Sequence, residues 1–244
     1  MSGRPVVLDD LEHYQKQSWR NRLRYLAADG VHDFSIPVIH PHGSAGDIQA
    51  FNPVSDSSPV RPSGAHTTPI TEIRVDYSTP WVRNLRRTLT TAYSSAAYFD
   101  YYAPEFFAVL ESRPDRLWDL NLSMLGYLRR ALLPSPDGPA ETPKEDFLKL
   151  SELQKDFPVE SPEGHLLPAS VIPDLTDLRE QDTDSPCPTD LREAFHPKRP
   201  LPFGIEPIAP YFQVFSDRLG YTPGLSAIDL LFNEGPEASS LLSA

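Results

Sequence analysis

The chain has 244 residues, a net charge of −12 at pH 7, and 27 prolines against 12 glycines. Its length suits one large domain or two small ones and is ample for a hydrophobic core. Twelve phenylalanines, ten tyrosines and three tryptophans exclude a solvated, disordered chain. The negative charge disfavours generic binding to a nucleic-acid backbone, because that binding is driven by clusters of lysine and arginine.

Proline and acidic residues concentrate in one part of the chain. Residues 134–210 contain fifteen of the 27 prolines, and residues 141–193 contain 14 acidic against 5 basic side chains. We therefore predict a Pro-rich, acidic, irregular segment at 134–189 within the domain. A solvated surface is its simplest interpretation, and a docking surface for a basic partner is the alternative.

The few cysteines and histidines of the chain limit which covalent and metal-binding sites it can form. Cys187 is the only cysteine, so the chain has no internal disulfide, and no cationic neighbour activates the thiol as a nucleophile. His40-Pro41-His42 lacks partners at ligand spacing, so we predict no metal site. Neither a signal peptide nor an apolar run of the ~18 residues that a membrane span needs is visible. These absences favour a soluble, cytoplasmic protein without a transmembrane segment.

The first third of the chain predicts a small sheet. Residues 6–8 form a short apolar strand, and alternating apolar residues over 22–38 predict a hairpin around Asp29-Gly30, with Gly30 free to adopt a positive φ. Pro37 places the second strand at an edge or an end. A polar loop insertion follows at 40–69, and residues 70–77 return to a strand-like pattern.

Helical periodicity dominates the middle of the chain. Thr79 is a candidate N-cap with Pro80 at the first helical position. A first helix places its apolar residues on one face: Trp81, Leu85, Leu89 and Ala92. We predict that a run of aromatic residues belongs to the core: Tyr93, Tyr98, Phe99, Tyr101, Tyr102, Phe106 and Phe107. A further amphipathic helix is predicted over 117–132, and at most a short helix around Phe147–Phe157.

The C-terminal part predicts two more helices. Four apolar residues share one helical face before Gly220, a natural C-terminal stop: Tyr211, Phe212, Phe215 and Leu219. In the last helix Ser226 and Asp229 form a capping-box-like pair, Leu225 and Leu230 occupy staple positions, and Gly235-Pro236 ends it. The fold class is therefore mixed α/β: a single domain with a small N-terminal sheet and packed helices.

Three groups of polar residues are candidates for a site. The first combines a base with cations and an amide, which suits a phosphate or carboxylate: His13, Lys16, Arg20, Asn21 and Arg22. The second is held near prolines: Asp190, Arg192, His196 and Lys198. Asp229 and Asn233 form the third, because helical spacing puts them on one side. For each group the structural alternative, a solvated face or surface turn, stays open.

Several sequence blocks resemble the WbqC-like family, which is found among bacterial surface-polysaccharide (O-antigen, lipopolysaccharide) biosynthesis proteins. The most specific blocks are Tyr-Gln-Lys-Gln-Ser-Trp-Arg-Asn-Arg at 14–22 and Asp-Leu-Leu-Phe-Asn-Glu-Gly-Pro at 229–236. The others lie at residues 34–38, 73–81, 92–102, 190–198 and 211–215. Together they predict a WbqC-like domain over 6–237.

The resemblance implies a group transferase that acts on an activated or amino sugar, with a sugar or nucleotide-sugar as its small-molecule ligand. It identifies no cofactor and no settled catalytic set. His13, His196 and Asp190 are the catalytic candidates. The remaining candidates would bind substrate: Lys16, Arg20, Asn21, Arg22, Arg192, Lys198, Asp229 and Asn233.

The chain departs from the family in three respects. The opening strand-helix segment of the family is missing here, Leu85 stands where a histidine is often found, and the stretches 40–69 and 140–189 are longer and less patterned. These departures favour the alternative function, a non-catalytic assembly or scaffold protein that binds other enzymes of the pathway.

Overall fold

The computed structural model describes residues 6–39, 68–133, 147–149, 151, 195, 197 and 208–243. Several predictions lie outside these residues: most of the loop 40–69 and of the segment 134–189, the His40-Pro41-His42 run, Cys187, and the candidates Asp190, Arg192, His196 and Lys198. The chain divides into two compact units, residues 1–12 with 145–206, and residues 13–144 with 207–244. The domain extent of 6–237 stays a prediction.

The first unit contains a two-stranded parallel pair. Strand β1 (Val6–Leu8) runs beside β6 (Phe147–Lys149), with Val6 opposite Phe147. The predicted strand at 6–8 is confirmed. The short helix predicted around Phe147–Phe157 does not include residues 147–149, which pair with β1, whereas Ser151 is helical; the other residues of that stretch lie outside the described ones. A parallel partner comes from far along the chain, here about 140 residues away in sequence, and local pattern does not reveal it.

The second unit opens with a β-hairpin. Strands β2 (Arg22–Ala27) and β3 (Gly30–Ser35) pair antiparallel from Arg22↔Ser35 to Ala27↔Gly30. The predicted hairpin around Asp29-Gly30 is confirmed, with Ala28 and Asp29 as its turn residues. Gly30 begins β3 with a φ of +132°, a value that side chains disfavour. β3 ends before Pro37, also as predicted.

Residues 70–77 form less strand than the sequence predicts. Ile70–Glu72 is a 3-10 turn, and only Arg74–Val75 (β5) is extended, paired with Val38–Ile39 (β4). Ile70 and Ile73 are both buried. A strand would place residues three apart on opposite faces, whereas a 3-10 turn brings them to the same side.

Three helices follow: α1 (Trp81–Tyr93), α2 (Phe99–Glu111) and α3 (Leu117–Leu132). The predicted apolar face of α1 is buried as expected. Thr79 is not the N-cap, because Pro80, with φ −80° and ψ 41°, already occupies that non-helical position. Tyr101 is 77% exposed, which corrects its assignment to the core; the inward face of α2 belongs to Phe99, Ala103 and Phe106.

The C-terminal segment is less helical than predicted. Only Ser216–Leu219 (α4) is helical before Gly220, so the proposed helical face from Tyr211 onward is wrong, although the stop at Gly220 is confirmed by its φ of +72°. Tyr211 and Gln213 instead extend their side chains toward the last part of the chain. That part comprises α5 (Ala227–Glu234), a 3-10 turn (Gly235–Glu237) and α6 (Ala238–Ser243).

The core of the second unit lies where α5 meets the three central helices. The Phe232 ring contacts those of Tyr93, Phe99 and Phe106, with centroids 5.1–6.1 Å apart. Gly235 ends α5 so close to Tyr98 that an added Cβ would lie 2.5 Å from its ring. The mixed fold of small sheets followed by packed helices is therefore confirmed. Among the described helices none is long and apolar enough to cross a membrane.

Candidate functional site

The arginine-rich segment is held by a short 3-10 helix, Trp19–Asn21. The buried Ser18 hydroxyl donates to the Gln15 carbonyl at 2.7 Å and accepts from the Arg20 amide at 3.4 Å. A helix N-terminus favours such a side-chain acceptor, because its first amides lack partners within the helix. The backbone that presents Arg20 and Arg22 is thus fixed locally.

Two amide side chains tie this segment to the rest of its unit. Asn21 donates from Nδ2 to the Ile36 carbonyl at 2.9 Å, and the Ile36 amide returns a bond to the Asn21 carbonyl at 2.8 Å. Asn121 of α3 donates to the Arg20 carbonyl at 2.8 Å. Asn21 therefore has a positioning role for the β2–β3 hairpin, whatever else it binds.

Arg20, Asn21 and Arg22 line a cavity of about 100 Å³, which we call the arginine cavity. Apolar side chains make up much of the remaining lining: Leu23, Ile36, Leu85, Phe106, Leu110, Leu120 and Met124. Small-molecule pockets usually enclose ~300–1,000 Å³. The arginine cavity is thus large enough for an anionic group of a ligand but not for a whole nucleotide-sugar.

Arg22 and Arg24 differ in their partners. Arg24 forms a bidentate ion pair with Asp33, at 2.7 and 3.0 Å, and its guanidinium lies 4.7 Å from the Trp19 ring centroid. Among the described residues Arg22 forms no ion pair. Its charge acts on the buried Tyr14 phenol, whose pKa is raised by burial and lowered in part by Arg22 and Arg20. The charge of Arg22 also contributes to the lowered pKa of Asp33, whose main cause is the hydrogen bond from Arg24.

His13 and Lys16 have exposed side chains at the entrance to this segment. His13 forms an isolated antiparallel bridge with Pro69, and the neighbouring Tyr14 amide donates to the Thr68 carbonyl at 2.9 Å. The backbone of His13 is therefore fixed in the same unit as Arg20 and Arg22. Neither side chain lines the arginine cavity.

Asp229 is fully buried and its carboxylate is occupied by protein donors. Oδ1 accepts from the Tyr93 hydroxyl at 2.8 Å, and Oδ2 accepts from the Tyr211 hydroxyl at 2.7 Å and from Gln213 Nε2 at 3.2 Å. Burial raises the pKa of Asp229, and the three donors partly offset the rise. Burial and the adjacent Asp229 also raise the pKa values of Tyr93 and Tyr211.

Asn233 lies one turn after Asp229 and is also buried. Its Nδ2 donates to the Asp229 carbonyl at 2.7 Å, and its Oδ1 has no partner within the part of the chain that the structure describes. Both side chains thus face the interior of the unit. The geometry favours a packing role over direct contact with a substrate for this pair.

Ser226 occupies the N-cap of α5, as predicted, but its side chain makes no capping hydrogen bond. The predicted capping box of Ser226 and Asp229 is therefore wrong. The Ser226 hydroxyl accepts from the Arg24 amide at 2.9 Å, and the Ser226 amide donates to the Arg24 carbonyl at 3.0 Å. Asp229 is engaged by Tyr93 and Tyr211 instead of the helix terminus. The two residues that resemble a cap are therefore used to attach α5 to β2 and α1.

A larger cavity of about 500 Å³ was not indicated by the sequence, and we call it the hairpin cavity. It lies between the hairpin turn, α1 and Phe215, and its polar lining is Tyr25, Asp29, His32, Asn84, Arg87, Thr88 and Thr91. The only local signal was an aspartate three residues before a histidine across a turn. Nothing in the sequence connects that pair with the polar face of α1.

The Asp29–His32 pair gives this cavity a defined geometry. His32 Nε2 lies 2.8 Å from Asp29 Oδ1, and the imidazole stacks on the Tyr25 ring with centroids 5.6 Å apart. The hydrogen bond to His32 lowers the pKa of Asp29, as does the charge of Arg218. Among the described residues Arg87 forms no ion pair. No group of three or more potential metal ligands occurs in the described ranges.

Comparison with known proteins identifies a matching family model. No curated protein and no solved structure matches the chain. The model of the WbqC-like protein family matches residues 57–134, the stretch that holds α1–α3 and contributes to both cavities. The resemblance of this chain to the WbqC-like protein family is therefore confirmed over residues 57–134.

Proposed function

We propose that the protein is a group transferase that acts on an activated or amino sugar in bacterial surface-polysaccharide (lipopolysaccharide, O-antigen) biosynthesis, in the cytoplasm. The WbqC-like match supports the pathway. The observation that carries the site is the guanidinium of Arg22, without an ion pair among the described residues and beside a cavity of about 100 Å³. An arginine in that setting suits bidentate binding of a phosphate or carboxylate.

The proposed binding group combines fixed and flexible cations. Arg20 and Arg22 hold the anionic part of the donor, and Lys16 adds a movable charge. Arg192 and Lys198 lie outside the described residues and stay candidates on the sequence alone. Asn21 keeps the segment in place through its bond to the Ile36 carbonyl. Cations at this point stabilise the negative charge that develops on a departing phosphate or carboxylate.

The proposed reaction needs one proton acceptor. A sugar amine or hydroxyl attacks the transferred group, and its proton passes to His13 or His196, with Asp190 as the carboxylate of the catalytic set. The bond between the transferred group and its carrier breaks, and the carrier leaves with the electron pair. Histidine suits this role because its ordinary pKa is close to neutral pH.

The test is ligand-dependent thermal stabilisation of the full chain with UDP-N-acetylglucosamine and other nucleotide-sugars. Binding to the native state raises the unfolding midpoint, and we expect Arg22→Ala to abolish the shift. Arg83→Ala is the matched control, because Arg83 is an exposed cation of α1 that lines neither cavity. Absence of a shift with every nucleotide-sugar tested would contradict the proposal.

One observation favours a second function, a non-catalytic assembly protein of the same pathway. Leu85, at the position where the family often has a histidine, is 2% exposed and lines the arginine cavity. An apolar side chain there supplies no proton transfer. Recovery of polysaccharide-pathway enzymes in a pull-down, with no nucleotide-sugar binding, would support this function. Unchanged recovery after deletion of residues 141–189 would exclude the acidic segment as the docking surface.

A further inference from the structure

The hairpin cavity is separate from the arginine cavity, although both border β2 and α1. Tyr25, Ala27 and Asp29 at the turn end of β2 line the hairpin cavity, whereas Arg22 and Leu23 at its other end line the arginine cavity. Strands rise about 3.3 Å per residue, so the Cα atoms of Arg22 and Ala27 lie about 16 Å apart. The two cavities can therefore be tested independently.

The lining of the hairpin cavity matches a hydroxylated ligand. Asp29 only accepts hydrogen bonds, Arg87 only donates them, and Asn84, Thr88 and Thr91 can do both. A ring that carries several hydroxyls, each both donor and acceptor, can satisfy such a mixed set. Three alanines, Phe215 and the ring of Tyr25 form an apolar part of the lining beside these polar groups. A wholly apolar ligand would leave most of the polar groups without partners.

The charges of the cavity favour one anionic group on that ligand. The carboxylate of Asp29 already has His32 at 2.8 Å, and the charge of Arg218 also reaches Asp29. Arg87 keeps its guanidinium unpaired among the described residues. The lining holds one arginine and one carboxylate, and because that carboxylate already has His32 as a partner, a phosphate or carboxylate would bind Arg87 through charge-assisted hydrogen bonds.

We propose that the hairpin cavity is a binding site for an anionic sugar, a sugar phosphate or a sugar acid, whose charged group binds Arg87 and whose hydroxyls bind Asp29, Asn84 and Thr88. The volume of about 500 Å³ falls within the ~300–1,000 Å³ typical of small-molecule sites. The Asp29–His32 pair fixes one wall of the site. This site is independent of the transferase reaction proposed above.

The experiment is calorimetric titration of the full chain with glucose 1-phosphate, glucuronate, glucose and inorganic phosphate. We expect at least one anionic sugar to bind tenfold or more tightly than glucose and than phosphate. Arg87→Gln should weaken that binding at least tenfold at an unchanged unfolding midpoint. Arg83→Gln, which removes the same charge one turn earlier in α1, should leave it within twofold, and Arg22→Ala is titrated in parallel to detect any binding at the arginine cavity.

Each contrary result overturns the assignment in a distinct way. If neither glucose 1-phosphate nor glucuronate binds, the proposal that the ligand is an anionic sugar is wrong. Inorganic phosphate binding as tightly as the sugars would make the site a simple anion site. If Arg83→Gln weakened the binding as much as Arg87→Gln, the effect would come from the overall charge of the protein and not from this site. Loss in Arg22→Ala, with none in Arg87→Gln, would move the ligand to the arginine cavity and leave the transferase proposal standing.

Discussion

Asp229 and Asp29 belong to the same compact unit and serve opposite purposes. The Asp229 residue is 0% exposed and its oxygens accept from Tyr93, Tyr211 and Gln213. The Asp29 side chain is 75% exposed, and it has the side chain of His32 as a partner. Both aspartates lie near aromatic and polar side chains in the sequence. Burial, which the sequence does not show directly, separates the structural carboxylate from the one at a cavity.

The environments of the two carboxylates explain the opposite shifts of their pKa values. Removing a carboxylate from water is costly, so burial raises the pKa of Asp229 even though three donors surround it. Asp29 stays hydrated and has a histidine beside it, so its pKa is lowered. We therefore expect substitution of Asp229 to change mainly the free energy of unfolding, and substitution of Asp29 to change mainly ligand binding.

The largest expected effect is that of Asp229→Ala. The substitution leaves the hydroxyls of Tyr93 and Tyr211 and the amide of Gln213 without their buried acceptor, and each such loss is costly. We expect the free energy of unfolding to fall by about 4 kcal/mol. Urea denaturation at pH 7, read by circular dichroism, measures it.

Asp29→Ala is the matched control for that prediction. Because its side chain is mostly hydrated, we expect a change in the urea midpoint much smaller than that of Asp229→Ala. Equal destabilisation by the two alanine variants would refute the distinction between a buried and a hydrated carboxylate.

A smaller effect is expected for Tyr93→Phe. The Tyr93 hydroxyl accepts from the Leu26 amide at 3.1 Å and donates to Asp229 at 2.8 Å, so its removal leaves a buried amide without an acceptor. We expect a loss of about 2 kcal/mol in unfolding free energy. Tyr25→Phe, at the hairpin cavity, should change it by less than about 0.5 kcal/mol. If the two variants lost the same unfolding free energy, the two hydrogen bonds of the Tyr93 hydroxyl would not stabilise the protein more than an exposed hydroxyl does.

The smallest effect is the pH dependence of stability. A raised folded-state pKa means that the native state holds its proton longer, so the contribution of Asp229 declines as pH rises from about 4 through the raised pKa. A lowered pKa means that the contribution of Asp29 is present above about pH 4 and is lost as pH falls through the lowered pKa. Urea denaturation from pH 3 to 7, compared with Asp229→Asn and Asp29→Asn, should give slopes of opposite sign. Slopes of the same sign would contradict the assigned environments.

Local periodicity predicted the elements that local physics determines. Trp81, Leu85 and Leu89 recur at helical spacing and form the buried face of α1. Asp29-Gly30 separates two alternating runs, and the hairpin turns there, at Ala28 and Asp29. In both cases the burial pattern and the turn conformation depend on neighbours within a few residues, so the sequence contains the needed information.

Local periodicity did not predict contacts between segments that are distant in the sequence. Ser226 and Asp229 have the spacing of a capping box, yet their side chains bind Arg24 and Tyr93 from other parts of the chain. Arg20 and Arg22 were predicted as one binding group, and they do line one cavity. The hairpin cavity went unpredicted because its walls come from residues 25–32, 84–92 and 215, and no local pattern connects them.

The two bonds between Arg24 and Ser226 join residues 202 positions apart, and this separation has a consequence for synthesis. Contacts between distant residues slow folding, since the intervening chain must first be ordered. A ribosome adds about 5–20 residues per second, so Ser226 follows Arg24 by roughly 10–40 s. Throughout that interval the backbone edge at Arg24 has no α5 to bind. A nascent chain halted before residue 226 would therefore expose it to chaperones, whereas the released full chain would not.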